Sequence, residues 1–418
     1  MLDIQKKLTT PFYVLLSLPA TAMGFALSVQ IAALSWILNT KYQLQEADVG
    51  IVWASGPLAG IIGQILVGIV SDNVWVWGGR RKPFILIGGI FAALMLFALP
   101  RIDAISQFLG INDIVLVAVF VALTLDLSIN VSFNPTRSII ADVTPEGKQR
   151  TKGYTIMQTI SGMFGVLAYL VSVVFDNYLL IYLGVFLVFI FSFFPPFFIA
   201  EPKELALENS NDVTATTKTD WAGLLKIYFA HAFTWLGVQT MFVFVFSYFK
   251  QKMVTDTPLT DKELGDMIGI SFAILNTVGF LLPSLVLSNV ANKIGRVRTH
   301  TLAIATMSIG YGCILFFGTS PLVFYFLMAV VGIGWGATVS LPFAIMSEKI
   351  NKNKMGFFMG IFNLSVVLPQ LIVSYFFGKI IQNTEDKSII FVICATTLAI
   401  SAVLWFFVKD THKETKTV

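Results

Sequence analysis

The chain has 418 residues, 56 % of them hydrophobic and only 12 % charged, with a net charge of +4 and a mean hydropathy of +0.79. A soluble protein of this size carries about twice that fraction of charge, so the composition excludes a soluble globular protein and points to an integral membrane protein. The apolar runs do not alternate with polar residues, which excludes a membrane β-barrel.

Twelve apolar runs follow one another, at 11–38, 48–71, 83–99, 113–138, 153–175, 177–199, 222–249, 264–290, 299–318, 321–346, 355–380 and 388–408. At ~1.5 Å per residue such runs cross a hydrocarbon core ~30 Å thick, so the expected fold is all-α with twelve transmembrane helices. The first run follows "MLDIQKK" and continues past signal-peptide length without a small-residue cleavage site, so it reads as a retained first helix. Helix 2 contains "GPLAGIIGQILVG", whose small residues suit close helix packing, and it carries Trp53 and Gln64. After it comes "SDNVWVWGGRRKPF", a loop with Asp72, Arg80 and Arg81 and a spacer of seven residues before the basic run.

Helix 4 reads "LTLDLSINVSFNPTRSIIAD" and places Asp126 about 13 residues from its outer end, ~20 Å deep. A carboxylate near mid-bilayer is costly and is by default functional. Loss of solvation favours a neutral acid, and an opened aqueous path or an approaching cation favours the carboxylate, so such a group can take up and release a proton. Asp126, Asn130 and Arg137 share one stripe, because 11 residues make very nearly three turns. Arg137 is near the cytoplasmic end, where it can serve a gate, reach the headgroups or pair with Asp142. Among the acids and bases, only Asp126 and His231 fall at this depth. One carboxylate without an acidic neighbour favours protons over sodium as the coupling ion.

Helix 5 carries Gln158. The long polar interruption "EPKELALENSNDVTATTKTD", 201–220, reads as a cytoplasmic linker between an N-terminal six-helix half, 1–200, and a C-terminal half, 221–418, with a short tail. In the second half, His231 in "YFAHAFTWLG" reads as a proton-relay helper or as a hydrogen-bonded packing residue. Trp235, Asn276, Trp335, Asn363 and Gln370 lie at comparable depth. With Gln64, Gln158 and Trp53 they form a set of neutral amides and flat rings, which suits the hydroxyls and C–H faces of a neutral sugar. An anionic substrate would call for a deep Lys or Arg. Taken singly, each amide also serves helix packing and each Trp a core or interface belt.

Cys313 and Cys394 lie in separate apolar runs and read as free thiols. No Walker A, HExxH or metal-spaced Cys/His set occurs, so neither an enzyme nor ATP coupling is expected, and no cofactor beyond a coupling proton. With both termini inside, the cytoplasmic segments hold 20 of the 28 Lys and Arg, as the positive-inside rule requires. These charges sit in short clusters beside helix ends, which membrane topology explains without nucleic acid. The expected partners are the bilayer and a small solute, the expected state a monomer, and the expected location a cell inner membrane.

The halves echo one another: "NVANKIGRVRTH" after helix 8 repeats the pattern of the loop after helix 2, and Pro342 follows Pro135 by 207 residues. A tandem repeat with its substrate site near the bilayer midplane, where the halves meet, resembles the major facilitator architecture. "WASGPLAGIIGQILVGIVSD" with "RRKPFI" resembles the helix 2 signature of the sucrose–proton symporters of that superfamily. "LDLSINVSFNPTRSIIAD", "SLPFAIMSE" and "FNLSVVLPQLIVS" resemble the same family's helices 4, 10 and 11. The compact loops point to a bacterial member. The resemblance implies proton-coupled import of an α-glucoside such as sucrose or maltose, with Asp126 as the protonated, sugar-coupled acid. It places Asn130, Gln64, Trp53, Asn363 and Gln370 at matching positions, and Asp72, Arg80, Arg81, Arg137 and Asp142 at a gate or its surroundings. Helix 1 has Ser28, with Gln30 two positions on, where relatives carry Gln or Glu, and helix 7 lacks the acidic motif of eukaryotic members. The rival readings are a sodium-coupled glycoside carrier, a transport-inactive sugar receptor and a drug efflux carrier.

Overall fold

A computed structural model describes residues 3–61, 63, 74–145, 148–202, 219–253, 258–347, 349 and 355–409. The long helices, labelled in chain order, are α1 (Thr10–Thr40), α2 (Glu46–Trp53, with helical residues 55–61 beyond it), α3 (Lys82–Ala98), α4 (Ile114–Val143), α5 (Lys148–Val174) and α6 (Asn177–Phe193). They continue with α7 (Trp221–Lys252), α8 (Asp261–Leu282), α9 (Arg296–Phe317), α10 (Pro321–Ser347), α11 (Met355–Ile372) and α12 (Ile389–Phe406). Eleven spans among the described residues are long and apolar enough to cross a membrane. The remaining expected span, 48–71, begins in α2, and most of its second half lies outside the described residues. No β-strand occurs among the described residues.

Local chemistry sets several helix boundaries. Asp113 accepts from the backbone N–H groups of Val115 and Leu116, Asp176 from that of Leu179, and Asp220 from that of Gly223, so a carboxylate caps the starts of α4, α6 and α7. The third span is longer than its apolar run suggests. A 3-10 turn at Leu99–Arg101, containing Pro100, carries α3 into Ile102–Leu109, and Gly110 ends it with φ of 66°. Helices α8 and α11 each pass through a π turn, Pro283–Leu287 and Val373–Phe377, before a short further helix.

Contacts divide the chain into two compact units, Met1–Glu208 with Asp261–Gly269, and Asn209–Thr260 with Ile270–Val418. The first turns of α8 join the first unit, where the Trp36 indole donates to the Asp261 carbonyl at 2.7 Å. Within the first unit α1 packs on α5 and α6, and α3 on α4 and α6. Within the second, α7 packs on α11 and α12, and α9 on α10 and α12. These are the same pairs displaced by six helices, which is the structural form of the repeat echoed in the sequence. Gly88 lets α3 lie close against α4, since a Cβ there would be 2.5 Å from the Ser128 carbonyl oxygen. In α7 every residue from Gly237 to Phe249 is buried. Cys394 is buried and Cys313 half-buried, both as free thiols.

Candidate functional site

In the first unit α1, α2 and α4 converge on Asp126, which is 4 % exposed. Its Oδ2 accepts from the Ser55 hydroxyl at 2.7 Å and from the Gln30 amide at 3.1 Å. Two glycines bring α2 against this face of α4: a Cβ on Gly56 would lie 3.6 Å from Asp126 Oδ2, and one on Gly63 would lie 2.9 Å from Asn130 Cβ. Asn130 donates to the Asp126 carbonyl on its own helix at 2.8 Å. Trp53 is buried one turn before Gly56, and its indole N–H donates to Ser35 Oγ at 2.8 Å. Gln158 is exposed on α5, and Gln64 lies outside the described residues. A carboxylate surrounded by donors from two other helices can exist as an anion inside the fold or hold a proton without repacking.

The second unit holds an aromatic and amide set. The Trp235 indole donates to His231 Nε2 at 3.0 Å, and the His231 ring stacks on Phe362 with centroids 4.9 Å apart and planes at 15°. Trp235 meets Trp335 edge to face at 6.1 Å, and the Trp335 indole donates to Asn276 Oδ1 at 3.3 Å. Phe242 packs against Trp335 at 5.4 Å, and Gln370 donates to Gln239 Oε1 at 3.1 Å. Asn363 follows Phe362 on α11 and is half-buried. Thus Trp235, Trp335 and Asn276 form one continuous set, while Gln370 engages the helix that carries Trp235. His231 thus makes one hydrogen bond and one ring stack within this unit.

A third cluster lies at the α3 start of the first unit. Arg81 Nε and Asp142 Oδ2 form a 2.9 Å ion pair, with the two side chains only 7 % and 10 % exposed. Glu201 accepts the backbone N–H groups of Arg80, Arg81 and Lys82 at 2.7, 2.8 and 3.0 Å, which satisfies the start of α3 and sets a negative charge on its positive dipole end. The Gln5 side chain and the Ala200 backbone exchange two hydrogen bonds just before Glu201. Arg137 is exposed, with its guanidinium 4.1 Å from the centre of the Phe133 ring, while Asp142 is taken by Arg81. Asp72 lies outside the described residues.

Several partners escaped the sequence reading. Ser55 lies inside the quoted "WASGPL" and Gln30 was noted only as a departure, yet both hold Asp126. Glu201 read as the first linker residue; an acid directly before a proline at the end of an apolar run was the available signal. Gln239 and Phe242 stand four and seven residues after Trp235, on one face of α7. Among the described residues no group of three or more His, Cys, Asp or Glu is arranged to hold a metal.

Residues 16–374 match the family model described as Major Facilitator Superfamily. The sucrose transport protein SUC4 of Arabidopsis thaliana is 24 % identical over 432 aligned positions, covering 86 % of this chain and 82 % of that protein. The general alpha-glucoside permease of Schizosaccharomyces pombe is 28 % identical over 188 positions, which span 41 % of this chain and 34 % of that one. A crystal structure of the nucleoside transporter NupG has the same fold, with a TM-score of 0.71 at 13 % identity over 94 % of this chain and 98 % of that chain.

Proposed function

The chain belongs to the major facilitator superfamily and is a transporter, and from that premise we propose that it is a proton-coupled symporter importing a neutral sugar, an α-glucoside such as sucrose or maltose, by alternating access. The observation that carries this reading is Asp126, a buried carboxylate whose Oδ2 meets a hydroxyl and an amide, both donors. Donors suit a carboxylate that exchanges protons, whereas a sodium ion would call for several oxygen acceptors turned inward. The named activities of the sucrose and α-glucoside relatives support the substrate class. The indoles and amides of the second unit support it independently, since flat apolar faces beside amide donors and acceptors match a ring that is apolar on its C–H face and polar at its rim.

In this mechanism Asp126 takes a proton on the outer side and releases it on the inner side. Ser55 and Gln30 hold its carboxyl in place through both states. Arg81 and Asp142, with Glu201 on the α3 start, stabilise one position of the cytoplasmic gate, both termini being cytoplasmic. One proton moving down 100 mV releases ~2.3 kcal/mol, enough to concentrate a neutral solute roughly fifty-fold.

Uptake of radiolabelled sucrose and maltose into sodium-free proteoliposomes tests the reading. An inward proton gradient should drive accumulation, and addition of either sugar should make the external medium more alkaline. Uptake that requires sodium would replace the proton as coupling ion. Binding without uptake would identify a receptor, and competition by hydrophobic cations but not by sugars would identify an efflux carrier.

A further inference from the structure

Just before the basic run, Trp75–Gly79 forms a tight hairpin. Val76 and Gly79 exchange backbone hydrogen bonds of 3.0 and 3.1 Å around the two-residue loop Trp77–Gly78. Both loop residues have positive φ, 52° at Trp77 and 72° at Gly78. That is the requirement of a type I′ hairpin, whose usual occupants are Asn-Gly or Gly-Gly. Gly78 meets it freely, since nothing lies within 4 Å of a Cβ built there. Trp77, with a Cβ, holds the left-handed backbone at a steric cost.

The side chain adds a second cost. Trp77 is 64 % exposed, and its neighbours Trp75 and Val76 are 37 % and 41 % exposed. Leaving a large apolar side chain in water forfeits the stabilisation that burying it would give. A strained backbone and an exposed indole at one residue together indicate a contact that lies outside the fold. The position limits what that contact is. Gly79 is three residues from the first residue of α3, whose apolar span begins at once, so the hairpin stays within ~10 Å of the helix start. That distance keeps it beside the headgroup layer, where the indole's apolar body and polar N–H are both accommodated. Arg80 and Lys82 add basic groups of the sign that anionic headgroups attract.

We propose that the Trp75–Gly79 hairpin is an interfacial anchor, with Trp77 seated in the lipid leaflet beside the start of α3. The anchor holds the loop on which Arg81 meets Asp142 and on which Glu201 caps α3, so the leaflet steadies the segment that carries both contacts. The proposal is independent of which solute the protein carries.

Fluorine NMR of the full chain, labelled with fluorotryptophan in nanodiscs of phosphatidylethanolamine and phosphatidylglycerol, tests it. The resonance lost in Trp77→Asn identifies Trp77, and Asn suits the left-handed turn, so the hairpin is retained. Should that variant fail to fold, Trp77→Phe gives the same assignment. The Trp77 resonance should be broadened by a lipid spin-labelled near the top of its acyl chain and spared by a water-soluble gadolinium chelate. The reverse pattern overturns the anchor and makes the hairpin a surface for a soluble partner.

Discussion

On the proposed function, replacing Asp126 by Asn should separate coupling from binding. An Asn carbonyl can accept from Ser55 and Gln30 as the Asp126 Oδ2 does at 2.7 and 3.1 Å, so the local packing survives with a stability change of about 1 kcal/mol. The amide cannot exchange a proton. At an imposed 100 mV the wild-type gradient is worth ~2.3 kcal/mol, so sugar accumulation should fall from roughly fifty-fold to about onefold. Counterflow, which exchanges labelled for unlabelled sugar without a net proton, should persist. Both are measured in the same proteoliposome preparation, with thermal unfolding in detergent as the control for folding. Accumulation at the wild-type level by Asp126→Asn refutes the coupling role. Loss of counterflow with an unchanged melting temperature refutes the separation of coupling from binding.

Other sites give distinct readouts. His231→Phe keeps a ring against Phe362 but removes the acceptor of the Trp235 indole, so the KM for sugar should rise about two- to tenfold with little change in maximal rate, the equivalent of one hydrogen bond, whereas His231→Gln should recover part of the loss. A fall in maximal rate at constant KM would count against a positioning role. Asp142→Asn removes the carboxylate that Arg81 Nε meets at 2.9 Å and should cost about 1.5–3 kcal/mol, the worth of a hydrogen bond to a charged group, by thermal or denaturant unfolding. The reciprocal exchange, Arg81→Asp with Asp142→Arg, should regain part of it, and failure of the exchange alongside a mild single variant would mean the pair contributes little. Glu201→Ala removes the acceptor of three backbone N–H groups and should destabilise α3 by roughly 1–2 kcal/mol, while Glu201→Gln should cost less; equal losses would show that charge, and not capping, is what Glu201 supplies.

Asp126 was legible because depth in an apolar run is a one-dimensional property: counting residues from the helix end places the charge near mid-bilayer. Its partners were not, because Gln30 and Ser55 reach it only through the rotation and approach of α1 and α2, which no single helix encodes. The same holds for Glu201, separated by about 120 positions from the backbone it caps. Its polar surroundings assign it to a linker, whereas in the fold its carboxylate accepts three backbone N–H groups at the start of α3. Asn130 is legible in part. It stands on the Asp126 stripe as counted, but its amide N–H is given to its own helix, a local bond open to any Asn four residues after a carbonyl. The sequence offers Trp53 and Trp235 as rings for a ligand, and in the structure both indole N–H groups have partners, Ser35 and His231. What remains for a ligand is the ring face and edge.

The repeat makes the polar differences between the units informative. Helix α1 and its counterpart α7 each supply a glutamine about 20 residues from the helix start, Gln30 and Gln239. Gln30 donates to a carboxylate, whereas Gln239 accepts from another amide, Gln370. In the offset set by Pro135 and Pro342, the position of Asp126 falls on Ile333 in α10, and Trp335 falls opposite Ser128 in α4. Duplicated scaffolds with the same helix pairs therefore carry different chemistry at matching depths. The first unit holds a group that can change charge, and the second holds rings and amides that keep theirs, with the Nε2 of His231 engaged by Trp235. On the proposed function, this division lets sugar recognition vary in the second unit without rebuilding the proton site. A change of substrate should therefore be sought around Trp235, Asn276, Trp335 and Gln370, and a change of coupling around Gln30, Ser55 and Asp126.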